Sequence, residues 1–234
     1  MTSEAPSRLQ ELSSTPNQSS ISLYGRSYLK RRYMILFYML LVTMVASPIL
    51  ATFGMSGMLI ESLLAICLLA AVMPIVEESK RTALLVVMVI AWLARPLTAW
   101  LGLETLSMVT LALWTLIGLF AAVAALRFAM SGAKVGAEHL FAALSAYLLA
   151  GIYFGLSYWA LAQVRPGMFS ESNLSRSGAI YFSFVTLATV GYGDIVPRLD
   201  MARGLAIVEG VGGQLFLAVL VARLVSSYSS AGKE

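Results

Sequence analysis

A chain of 234 residues that is 59% hydrophobic and 12% charged is not an ordinary soluble globular protein, which carries about twice that charged fraction. The net charge of +4 does not point to nucleic acid, because the basic residues sit at the edges of apolar runs, where membrane topology places them. The single cysteine, Cys67, lies inside an apolar run and excludes an intramolecular disulfide or a cysteine metal cluster.

Residues 1–23 are polar and rich in Ser, Thr and Pro, and lack the charged-then-apolar order of a cleaved signal peptide. They offer too little apolar surface to fold, and read as a disordered cytoplasmic tail. The run "LYGRSYLKRRY" follows, with Arg26, Lys30, Arg31 and Arg32 interleaved with Tyr24, Tyr28 and Tyr33. Basic and aromatic residues before an apolar run mark the cytoplasmic headgroup layer. A topology anchor is the simpler reading, and a site for anionic lipids is the alternative.

Six stretches are long enough to cross a bilayer: 34–53, 57–76, 82–101, 105–127, 138–163 and 202–226. With both termini inside, eleven Lys and Arg fall on the cytoplasmic side. Four fall outside (Arg165, Arg176, Arg198 and Arg203), all between the last two spans. That asymmetry fits a multi-pass protein of the cell (inner or plasma) membrane. Residues 24–133 form a four-helix N-terminal membrane domain, residues 134–228 a second domain, and residues 229–234 a short cytoplasmic tail.

Within the first four spans, Glu61 and Arg95 lie at comparable depth in spans two and three. An intramembrane pair is the economical reading, since an unpaired charge there costs several kcal/mol; a proton or ligand sensor is the alternative. The fourth span carries Arg127 alone, at its end. A charge crossing the field yields only about 2.3 kcal/mol per 100 mV, so this span is not a steep voltage sensor. His139, beside Glu138 at the start of span five, reads as an interfacial polar residue, with a pH-sensing role as the alternative.

Between spans five and six, "SGAIYFSFVTLAT" (177–189) is apolar but too short to cross. Irregular backbone at membrane depth is tolerated only where protein buries it or where it lines a water-filled path. Residues 177–188 therefore read as a re-entrant helix followed by extended chain. In "TVGYG" (189–193), a row of carbonyl oxygens can replace the hydration shell of a cation without trapping it. Aligning successive carbonyls needs alternating right- and left-handed backbone, which Gly191 and Gly193 supply. Val190 and Tyr192 alternate with them, Thr189 adds a hydroxyl oxygen at the inner end, and Asp194 stands just past the row. The C-terminus of the preceding helix adds negative potential for a cation.

"TVGYGD", preceded by a short apolar helix and flanked by two spans, resembles the pore of the potassium channel family. The resemblance covers residues 138–226 and implies an all-α membrane protein with six transmembrane helices, a re-entrant pore helix and a selectivity filter. It also implies a homotetramer, with K+ held at Thr189, Val190, Gly191 and Tyr192 and Gly193 closing the filter. Tyr192 goes with potassium selectivity. Ala188 departs from the family, which commonly has a second threonine there, and implies altered block rather than lost selectivity.

The last span, with its run "GQLFLAVLVARLV", resembles the inner helix of prokaryotic channels of this type. Gly213 falls where the family has its hinge glycine, and either hinge or close packing suits it. Glu209, charged within membrane sequence, reads as a hydrogen-bonding brace for the pore helix rather than an ion ligand. Gln214, Leu217, Val221 and Val225 follow Gly213 at helical spacing, and would line the cavity and close it by dewetting.

The sequence runs about eight residues past span six, so a cytoplasmic nucleotide-binding or ion-sensing domain is not expected. It contains no nucleotide-binding glycine pattern, metal-spaced His/Cys set or nucleophile triad, so an enzyme is not expected, nor is a cofactor beyond K+ as the permeant ion. The expectation is a passive K+ channel without strong voltage dependence. The alternatives are a sensor or scaffold that keeps the channel fold, and a potassium uptake subunit. The single pore repeat argues against the uptake subunit.

Overall fold

The computed structural model of the chain describes residues 31–46, 49, 62–67, 82, 85–90, 92–94, 97, 101, 104–131 and 135–231. Four helices are described end to end: α1 (Glu104–Ala129), α2 (Ala137–Val164), α3 (Arg176–Leu187) and α4 (Asp200–Ala231). Residues 31–46, 62–67 and 85–90 are also helical. Among the described residues there is no strand, only an isolated antiparallel bridge between Phe169 and Pro197.

Among the described residues, three helices have the length and composition to cross a bilayer, over Val109–Ala129, Ala137–Val164 and Asp200–Ser227. They correspond to the expected spans 105–127, 138–163 and 202–226. The three earlier spans fall partly outside the described residues. Arg26, Lys30, Glu61 and Arg95 lie outside them altogether.

The helix over 31–46 buries Tyr33, Leu36 and Leu40, a spacing of three and four that sets one face against the protein. Tyr33 stacks on Phe128 at 4.6 Å between centroids, and its backbone N–H donates to Glu138 Oε2 at 3.2 Å. Arg32 lays its guanidinium over both rings, 4.8 Å from Tyr33 and 5.0 Å from Phe128. Phe128 stacks in turn on His139, 4.9 Å away, whose Nδ1 accepts from the Gly136 N–H at the start of α2. The end of α1 and the start of α2 are thereby joined to the first helix through rings and a carboxylate.

α2 is the central element, packed against α1, α3 and α4. Gly155 lets α3 come in close: a Cβ there would lie 2.6 Å from the Ile180 Cα. On the other side of the short helix, Tyr158, Phe169 and Phe182 meet edge to face, with centroids 4.9 to 5.7 Å apart. This cluster holds the loop before α3 to α2 and α3 together. α4 is different. Only 11% of its most apolar window is buried within the chain, against 56% for α2.

Candidate functional site

The segment from Arg165 to Asp200 enters and leaves α3. Ser175 caps α3, its Oγ accepting from the Gly178 N–H at 3.0 Å. At the other end, the incoming backbone satisfies the last carbonyls of the helix. Ala188 N–H donates to Phe184 O at 2.9 Å, Thr189 N–H to Thr186 O at 3.0 Å, and Val190 N–H to Val185 O at 2.9 Å. The chain therefore leaves the C-terminus of α3 in a fixed direction, at the negative end of its dipole.

Thr189, Gly191 and Gly193 have positive φ, at 55°, 59° and 80°, while Val190 and Tyr192 between them do not. Alternation of backbone hand over five residues turns successive carbonyls toward one side. A glycine at 191 and 193 follows from this conformation. A threonine at 189 does not, since a β-branched side chain in the left-handed region costs about 1–2 kcal/mol. The hydrogen bonds from Thr189 and Val190 back into α3 hold it there. Val190 and Tyr192 are exposed on this chain, at 50% and 70%.

Past the row, Asp194 is fastened on both oxygens. The Tyr181 hydroxyl donates to Oδ2 at 2.8 Å, and the Ile195 N–H donates to Oδ1 at 3.0 Å. The Tyr181 hydrogen bond, followed by the backbone ones, holds this exposed carboxyl below the usual aspartate range. The Tyr181 ring also stacks parallel to Tyr192, with centroids 6.5 Å apart and 3° between planes. Ser170 closes the loop: its N–H donates to Val196 O at 2.8 Å, and its Oγ accepts from Val196 N–H at 3.0 Å.

Behind α3, Glu209 of α4 is 1% exposed. The Tyr158 hydroxyl of α2 donates to its Oε2 at 2.7 Å, and Oε1 is in hydrogen-bond contact with Ser183 of α3. Ser183 Oγ also reaches the Gly151 carbonyl of α2 at 2.6 Å. Lower on α4, Gly213 faces Leu187, where a Cβ would lie 3.0 Å from the carbonyl oxygen, and α4 runs unbroken through it. Gln214, Leu217, Val221 and Val225 all lie on surface left exposed. Near the end of α4, Arg223 donates to the carbonyls of Ala129 and Ser131 beyond α1.

Sequence reasoning singled out Glu209 but not its partners Tyr158 and Ser183, and Asp194 but not Tyr181. Tyrosine and serine in an apolar run read as ordinary helix residues. Only the folded packing shows which carboxylate they reach.

Residues 142–230 match the family model described as "Ion channel". Sequence similarity also extends to potassium channels. The inward rectifier potassium channel Kirbac3.1 of Paramagnetospirillum magnetotacticum is 33% identical over 87 residues, covering 36% of this chain and 27% of that protein. Two-pore potassium channel 4 of Arabidopsis thaliana is 52% identical over 57 residues, covering 24% and 20%. Two pore potassium channel c of Oryza sativa subsp. japonica is 38% identical over 91 residues, covering 38% and 18%. The chain thus spans about a quarter or less of the length of these relatives. No solved structure matches it. The apolar helices make it a multi-pass membrane protein, and its residues 142–230 are similar to an ion channel module.

Proposed function

We propose that the chain is one subunit of a homotetrameric potassium channel, in which Thr189, Val190, Gly191 and Tyr192 of each copy present oxygens to K+. Gly193 closes the filter and Asp194 shapes its outer mouth. The observation that carries this reading is the alternating backbone hand of residues 189–193, held at the C-terminus of a short helix between two bilayer-length helices. Dehydrated K+ needs a ring of carbonyls, and one chain supplies one quarter of it. The exposed Val190, Tyr192 and α4 are the surfaces that the other three copies and the lipid cover.

K+ then moves passively down its gradient, with the exposed face of α4 lining the path inside the filter. Gln214 and Leu217 border the cavity, and Val221 and Val225 close it by dewetting. Gly213 packs against Leu187 in this conformation and provides a pivot when α4 bends. Voltage has little purchase, because the basic residue in the last turn of α1 is Arg127 alone. Both termini face the cytoplasm.

Proteoliposomes loaded with K+ and diluted into Na+ buffer test the reading. The expected result is K+ efflux that drives uptake of tracer Rb+ but not of Na+. Equal uptake of both ions, or uptake unchanged in Gly191→Ala, would contradict it.

A further inference from the structure

Tyr158, Glu209, Ser183 and the Gly151 carbonyl form a chain of oxygens whose hydrogens can be counted. The Ser183 hydroxyl carries one hydrogen but touches two acceptors, the Gly151 carbonyl at 2.6 Å and Glu209 Oε1. A carbonyl has no hydrogen to give. If Ser183 donates to the carboxylate, its lone pairs face the carbonyl oxygen of Gly151, and two acceptors meet without a proton. If Ser183 donates to Gly151, the contact with Glu209 needs a hydrogen on Oε1.

We infer that Glu209 is held as the neutral acid, donating from Oε1 to Ser183 while accepting from Tyr158 at Oε2, and that in this state it positions α3 against α2 and α4. Every hydrogen then has one acceptor, and the chain runs in one direction from Tyr158 to Gly151. The surroundings agree. Glu209 is 1% exposed, and among the described residues no cation pairs with it. Among the described residues, the titratable groups facing it are Tyr158 and Tyr147, both from α2. The cleft of about 250 Å³ beside it is lined by apolar side chains including Leu119, Val123, Phe154 and Phe216. A buried carboxyl in such a place is stable when neutral and fully hydrogen-bonded. Its consequence for ion passage rests on the channel reading, because α3 is the helix from which Thr189 and Val190 are hung.

Glutamine copies the neutral acid, with a carbonyl for Tyr158 and an N–H for Ser183. Infrared spectra of the full-length protein in lipid at neutral pH should show a deuterium-sensitive carboxylic-acid C=O stretch that E209Q lacks. E209Q should keep K+ flux and melting temperature close to wild type, whereas E209A and S183A should lower flux by about tenfold, as expected for a buried partner left unpaired. Identical spectra in this region for wild type and E209Q would overturn the assignment. So would an E209Q variant as impaired as E209A, or one that fails to assemble. A band without K+ flux in wild type would support the protonated acid and overturn the channel reading.

Discussion

In the proposed channel, Tyr181 and Asp194 are the pair on which the outer end of the filter depends. The hydroxyl at 2.8 Å favours the ionised carboxyl and keeps its titration below the ordinary 3.8. A group depressed in the folded state contributes stability above its unfolded value, and loses it as pH falls through the folded one. K+ current should therefore be insensitive to Asp194 until external pH drops below 3.8. Tyr181→Phe keeps the ring beside Tyr192 but removes the donor, and should move the acid limb of the current toward neutral pH. A current–pH titration of both proteins checks this. At Gly191, φ is +59° and a Cβ would meet nothing within 4 Å on this chain. Alanine there acts through the backbone alone, at about 1–2 kcal/mol. It should weaken K+ over Na+ discrimination while leaving assembly intact, as read by flux and by size-exclusion mass.

At the scale of elements, α3 is held from two sides. Gly155→Val would place a Cβ against the Ile180 backbone, an atom that cannot rotate away. It should destabilise the protein by about 1–3 kcal/mol, seen as a lower melting temperature in detergent. Arg223 of α4 caps the chain after α1 by donating to the Ala129 and Ser131 carbonyls. Arg223→Ala should raise amide hydrogen exchange in residues 129–131 without moving that of α3. The elements themselves were largely legible in the sequence. Uninterrupted apolar length marked α1, α2 and α4, and the twelve residues of α3 were visible as an apolar run too short to cross. The ties between them were not legible. Tyr158 and Glu209 are 51 residues apart, and Ser183 and Glu209 are 26 apart, so no local pattern announces either bond. The left-handed backbone of Thr189 was not legible for another reason: local preference disfavours it in a β-branched residue, and the hydrogen bonds of Thr189 and Val190 back to the end of α3 override that preference.

At the scale of the whole molecule, residues 189–193 and α4 are apolar or glycine-rich surfaces that one chain leaves bare. With only 11% of its apolar window buried, α4 cannot gain its packing within the subunit. In the proposed tetramer, four copies around an axis would bring the 189–193 rows together and cover Val190. Native mass spectrometry of the protein in lipid nanodiscs should accordingly give four chains, and a monomer or dimer that still conducts would refute the ring. The most direct test of the account is the reversal potential of single-channel current in planar bilayers, with K+ on one side and Na+ on the other. A potential strongly biased toward K+ and lost in Gly191→Ala is the result predicted. A potential near zero would contradict the selectivity assigned to residues 189–193.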